Sequence, residues 1–151
     1  MQRSTLCKFF TACVLTVLIG SPAFAHGRSQ SCSLRGVAGS YGYTTSGTIP
    51  TLGGVAAVGR ISLDEDGNLS GAQTTSFNGA IVQETLSGTY SVNADCTGTA
   101  TVNVYHSGVL ARTTNLEVVW DNNQRELRAI FLTAGTVLTI NGRKIFREED
   151  D

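Results

Sequence analysis

TGTATVNVYHSGVLARTTNLEVVW, residues 97–120, decides the fold. In its first ten residues Ala100, Val102 and Val104 fall on one parity, and Thr99, Thr101 and Asn103 fall on the other. A period of two is the mark of a β-strand with one face on a core. Ser107-Gly108 then breaks the run as a tight turn does, and Leu110, Leu116, Val118 and Trp120 share a parity in the stretch that follows. The phrase reads as two antiparallel strands around a hairpin turn.

The same unit recurs on both sides. Turn signals stand at Asp66-Gly67, Asn78-Gly79, Asn93-Ala94-Asp95, Asp121-Asn122-Asn123 and Ala134-Gly135. Asn-Gly is the strongest two-residue hairpin signal of these. The spacing predicts strands over residues 40–49, 55–63, 69–77, 80–92, 97–106, 109–120, 125–133 and 136–146, the fourth kinked at Gly88. Pro50, Gly53 and Gly54 separate the first from the second. β-Branched residues and glycines dominate and no 3.6-residue period is sustained, so a helix reading fails throughout. The expected fold is all-β, an eight-stranded antiparallel up-and-down barrel whose closure removes exposed edges. A two-sheet β-sandwich is the alternative. In residues 55–63 both parities are apolar, so the inward face there stays open.

Ahead of the strands, Arg3 and Lys8 precede an apolar stretch over residues 9–20, and Ala23-Phe24-Ala25 supplies an A-x-A cleavage site. Residues 1–25 are therefore expected to be a signal peptide, 26–39 a polar lead-in, 40–147 the barrel domain and 148–151 a solvated acidic tail. Export implies a secreted or periplasmic location. Without Arg3 and Lys8, nine basic side chains face twelve acidic ones, a formal charge of −3. That balance gives no basic field for nucleic acid. The apolar stretch is short for a bilayer span. Charges on both strand parities and the lack of aromatic girdles speak against an outer-membrane barrel and for a soluble one.

Cys7 and Cys13 fall in the leader, leaving Cys32 and Cys96 as an even pair in an oxidising compartment. They are expected to form a disulfide tying the lead-in to the turn near Cys96. Closing so long a loop is worth roughly 4 kcal/mol in the chain-entropy account.

Residues 86–100 read LSGTYSVNADCTGTA. With Gly39-Ser40-Tyr41-Gly42-Tyr43 and residues 59–71, GRISLDEDGNLSG, this phrase resembles a group of small exported bacterial proteins of uncharacterised function. The architecture is similar to calycin-type and allene-oxide-cyclase-type barrels. The resemblance implies an exported barrel and transfers no catalytic residue, because fold alone does not assign function.

Candidate site residues come from charges on apolar parities. Glu84 shares a face with Val82 and Leu86, and Arg112 shares one with Leu110 and Leu116. Arg60 and Arg128 stand where the inward face is ambiguous. An inward Glu84 needs a partner such as Arg112 or Arg60, because a buried charge is costly unless paired. Such a pair would be a polar anchor for a small ligand. Tyr43 and Tyr105 could line the mouth, and His106 ends a strand beside Ser107 without a nucleophile-elbow motif. Asp64-Glu65-Asp66-Gly67-Asn68 departs from a calcium loop and reads as a polar hairpin tip, so no metal or cofactor is expected. The leading functional expectation is non-enzymatic binding of a small, partly apolar molecule in the barrel. The alternatives are a cyclase or isomerase using the same cavity, and a solidly packed cell-surface or structural module.

Overall fold

The computed structural model of the chain describes residues 31–145. The expected signal peptide, the start of the lead-in and the acidic tail lie outside the described residues. A one-turn helix, α1 (Leu34–Val37), precedes eight strands: β1 (Gly39–Ile49), β2 (Gly53–Leu63), β3 (Asn68–Phe77), β4 (Ala80–Tyr90), β5 (Thr97–His106), β6 (Val109–Asp121), β7 (Glu126–Phe131) and β8 (Val137–Lys144). Each strand pairs antiparallel with the next, and β8 pairs back onto β1 from Tyr41↔Lys144 to Thr48↔Val137. The sheet is a closed up-and-down barrel, and the sandwich alternative is set aside.

Turn chemistry sets the pairing. Asn78 and Gly79 both take positive φ, 48° and 97°, and Ser107 and Gly108 repeat the pattern at 52° and 80°. Paired positive values are what a two-residue hairpin between twisted strands requires. The fourth strand ends at Tyr90, two residues short of the sequence expectation, and it runs unbroken through Gly88, paired to Leu69 on one side and Val102 on the other.

Alternation sorts the inside from the outside. Val55, Ala57, Ile61 and Leu63 point inward on β2, which settles its ambiguous parity and leaves Val58 and Arg60 outside. Ala100, Val102 and Val104 face the core, as do Leu116, Val118 and Trp120. Leu110 does not: it is half exposed. The register shifts between Val104 and Tyr105, which pair with Arg112 and Leu110, so Ala111 is the extra residue of a bulge. A bulge flips the parity beyond it and swings Leu110 outward with Tyr105.

The two ends of the barrel differ. The turns after β2, β4 and β6 lie at the end where the chain enters, and α1 plugs it. The helix corrects the expectation that no helix forms anywhere: part of the expected polar lead-in makes one helical turn. Ser33 caps it through its hydroxyl, which accepts from the Gly36 N–H at 3.1 Å. Val37 is completely buried and Leu34 packs on the core. The Tyr41 hydroxyl donates to the Val37 carbonyl at 2.7 Å, and Lys144 Nζ donates to the Gly36 carbonyl at 2.9 Å. Cys32 and Cys96 sit at disulfide distance, with Cα atoms 5.0 Å apart, and tie the plug to the β4–β5 turn. The turns after β1, β3, β5 and β7 gather at the other end, where no element among the described residues covers the mouth.

Candidate functional site

Four polar or charged side chains are buried among the described residues: Thr45, Thr75, Glu84 and Thr114. All four sit in the half of the barrel toward the uncovered end. The expected pair of Glu84 and Arg112 is brought together there. Glu84 is 4% exposed and its carboxylate accepts four hydrogen bonds. Arg112 grips it in a fork, Nη1 on Oε1 and Nη2 on Oε2 at 3.0 Å. Gln73 Nε2 donates to Oε2 at 2.7 Å, and the Thr75 hydroxyl donates to the same oxygen at 2.8 Å. Burial pushes the Glu84 carboxyl up, but the bonds from Arg112, Gln73 and Thr75 and the nearby positive charge outweigh it, holding Glu84 below the usual range. The carboxylate stays ionised and fully engaged.

Arg112 is placed differently. Its guanidinium lies 5.5 Å from the centre of the Phe77 ring, a cation–π contact, and more than a third of the side chain is exposed at the mouth. Two of its five N–H donors are committed to Glu84.

Tyr43 continues the network inward. Its hydroxyl donates to Gln73 Oε1 at 2.6 Å, so Gln73 relays between the phenol and Glu84. Burial, and after it the charge of Glu84, pushes the Tyr43 phenol well above its ordinary value. Gly59 makes room for this contact: a Cβ there would stand 2.7 Å from the Tyr43 hydroxyl and 2.6 Å from the Ala72 carbonyl.

Other candidates fall elsewhere. Arg60 is on the outer wall, where Nη2 donates to the Ser40 hydroxyl at 3.1 Å, because its parity on β2 is the outward one. Arg128 is also outside, 2.9 Å from Asp121. Tyr43 is buried inside the barrel, not at its mouth, and Tyr105 is on the outer face opposite Thr85. His106 is exposed where the β4–β5 pairing ends, its Nδ1 3.2 Å from the Gln83 carbonyl. Asp64 is consumed by its own turn, accepting from the backbone N–H of Asn68 at 2.7 Å and of Asp66 at 3.0 Å. No group of three or more His, Cys, Asp or Glu side chains among the described residues could hold a metal ion.

Beneath the polar cluster lies a cavity of about 80 Å³, walled by Ile61, Val102, Leu116 and Phe131, with Trp120 and Arg112 also in its lining. Trp120 is almost wholly buried, and its indole N–H has no hydrogen-bond partner. Leaving such a donor unsatisfied costs about 1–3 kcal/mol. Sequence reasoning did not single out Gln73, Thr75 or Trp120 as site residues. The parity of Leu69, Gly71, Gln73, Thr75 and Phe77 carried the signal for the first two. Compared with models of known protein families, with curated proteins and with solved structures, the chain matches none, so the resemblance drawn from the sequence gains no support and the closed barrel rests on the fold itself.

Proposed function

We propose that the protein binds a small, partly apolar molecule without transforming it, the apolar part in the barrel cavity and the polar part at Arg112. One observation carries this reading: a cavity with apolar walls inside the closed barrel has a guanidinium, Arg112, in its lining and part-exposed at its opening. The volume limits the guest. Ligand pockets for drug-sized molecules run to about 300–1,000 Å³, and a cavity of about 150 Å³ holds benzene. A space of about 80 Å³ suits a slim chain end or a guest smaller than benzene.

A cyclase or isomerase reading asks for an inward acid or base free to move a proton. Glu84 is saturated and held ionised, and His106 lies outside the cavity. Binding is therefore the better reading of these residues. The same small volume favours a second reading, a packed module with no guest, since side chains can fill a small barrel.

Trp120 is the chain's single tryptophan, so its emission reports on the cavity alone. Titration with a series of 1-alkanols should shift that emission saturably, and Ala129→Leu, which fills the cavity, should abolish the shift. A linear, unsaturable response in the parent would leave the packed-module reading standing.

A further inference from the structure

The four turns at the uncovered end carry a surface unlike the rest of the molecule. Six of the ten large hydrophobic residues exposed among the described residues lie there: Leu52, Ile81, Val109, Leu110, Leu132 and Val137, with Val109 70% exposed and Ile81 67%. The stretches 49–54, 77–81, 106–110 and 131–137 contain no Asp, Glu, Lys or Arg. At the plugged end the turns carry Asp64, Glu65, Asp66, Asp95, Asp121, Arg125 and Glu126. Single exposed aliphatics are ordinary on a protein surface, but a ring of them without charges around one mouth is not.

We propose that this rim docks on a phospholipid membrane, its hairpin tips entering the acyl boundary while the charged end stays in water. Three features favour lipid over a protein partner. First, the aliphatics sit on separate tips around an opening. A fluid acyl layer accommodates separate fingers, whereas a protein interface needs a continuous, shape-complementary core. Second, several turn donors are satisfied within the rim, as leaving water requires. Leu52 N–H donates to the Ile49 carbonyl at 2.9 Å, Asn78 N–H to Gly54 at 2.7 Å and Thr136 N–H to Thr133 at 3.2 Å. Third, the four turns carry no basic residue to attract anionic lipid and no acid to be repelled by it, and the cation at the mouth, Arg112, is neutralised by its pairing with Glu84, which matches a zwitterionic surface. Farther down the outer wall, in the half toward the plugged end, Arg60, Glu117 and Arg128 point outward, so that half stays in water. No helix among the described residues is long and apolar enough to cross a membrane. This inference stands apart from the cavity reading: the rim can dock whether or not the barrel holds a guest.

Flotation of the full chain with phosphatidylcholine vesicles tests it. The parent should float with the vesicles, with little change in 1 M salt or on adding phosphatidylglycerol. The pair Ile81→Ser/Leu110→Ser should lower partitioning at least tenfold, and Val119→Ser, at the charged end, should leave it unchanged. If the serine pair lowers the melting temperature, the near-isosteric pair Val109→Thr/Val137→Thr takes its place. Every variant keeps the parent's N-terminal segment, so binding retained by the rim variants would locate the contact elsewhere and overturn the proposal. A parent that stays with the protein fraction would overturn it too. So would a dimer by light scattering that the rim pair converts to monomer without vesicle binding, since the rim would then pair with a second copy.

Discussion

The plugged and uncovered ends of this barrel are chemical inverses. At the plugged end the charges are outside, on Asp64, Glu65, Asp66 and their neighbours, and the interior is Val37, Leu63, Leu69 and Trp120. At the uncovered end the turns expose aliphatic side chains and carry no Asp, Glu, Lys or Arg, and the charge lies inside, on Glu84 and Arg112. The first arrangement is what stability alone would produce, since apolar area leaves water and charge stays in it. The second is costly, and burial of Glu84 is tolerated only because four donors surround it. Departures from the stabilising pattern are where function concentrates. The inversion is the reason the proposed binding is placed at the uncovered end.

The largest effect should come from the end built for stability. Replacing Cys32 and Cys96 together by Ser should cost about 4 kcal/mol by chemical denaturation, because the bond would close a long loop across the plug. A loss below about 1 kcal/mol would mean that α1 holds the plug without it. At the uncovered end, Arg112→Met should cost about 3 kcal/mol, the low end for breaking a buried pair because the arginine is partly exposed. Glu84→Gln should cost less, since it removes the buried charge and leaves Arg112 access to water. If the two were equally harmful, packing and not charge pairing would govern that end. Gly59→Ala should cost about 1–3 kcal/mol through crowding of the Tyr43 hydroxyl and the Ala72 carbonyl.

Acid should separate the ends more finely. The folded Glu84 value lies below the unfolded one, so its contribution is complete above the ordinary glutamate value of about 4.3 and is lost as pH falls through the lowered folded value. Glu84→Gln should flatten the acid limb of the stability profile; an unchanged limb would assign acid sensitivity elsewhere. In alkali the sign reverses. Burial, then Asp64 and Glu65, pushes Tyr90 up to about 12, so the stability tied to its neutral form is present below pH 10 and lost as pH rises toward 12. Absorbance at the phenolate band should show Tyr90 ionising late. The smallest stability change belongs to the rim, where Leu110→Ser should stay within about 0.5 kcal/mol, as exposed positions do.

The barrel was legible because each level of the sequence agreed: parity in residues 97–106, the Asn78-Gly79 turn and the even cysteine pair all pointed to one fold. The Glu84–Arg112 pair was legible for the same reason, since charge on an inward parity needs a partner. What parity could not show depends on three-dimensional context. The bulge at Ala111 reversed Leu110, and an apolar stretch on both faces hid that Arg60 points outward. The one-turn helix α1 is too short to leave a period, and its form follows from the Ser33 cap and docking onto Tyr41. The uncharged rim was present in the four turn sequences, but only closure of the barrel gathers them at one end.

The binding proposal requires that the barrel interior, beneath its polar mouth, has room for a guest. Crystals of the protein pressurised with xenon test it most directly, because xenon enters dry apolar cavities of this kind. A xenon atom should lie bounded by Trp120, Leu116 and Phe131, displaced when Ala129→Leu fills the space. An interior without xenon, its side chains closed over the cavity, would contradict it.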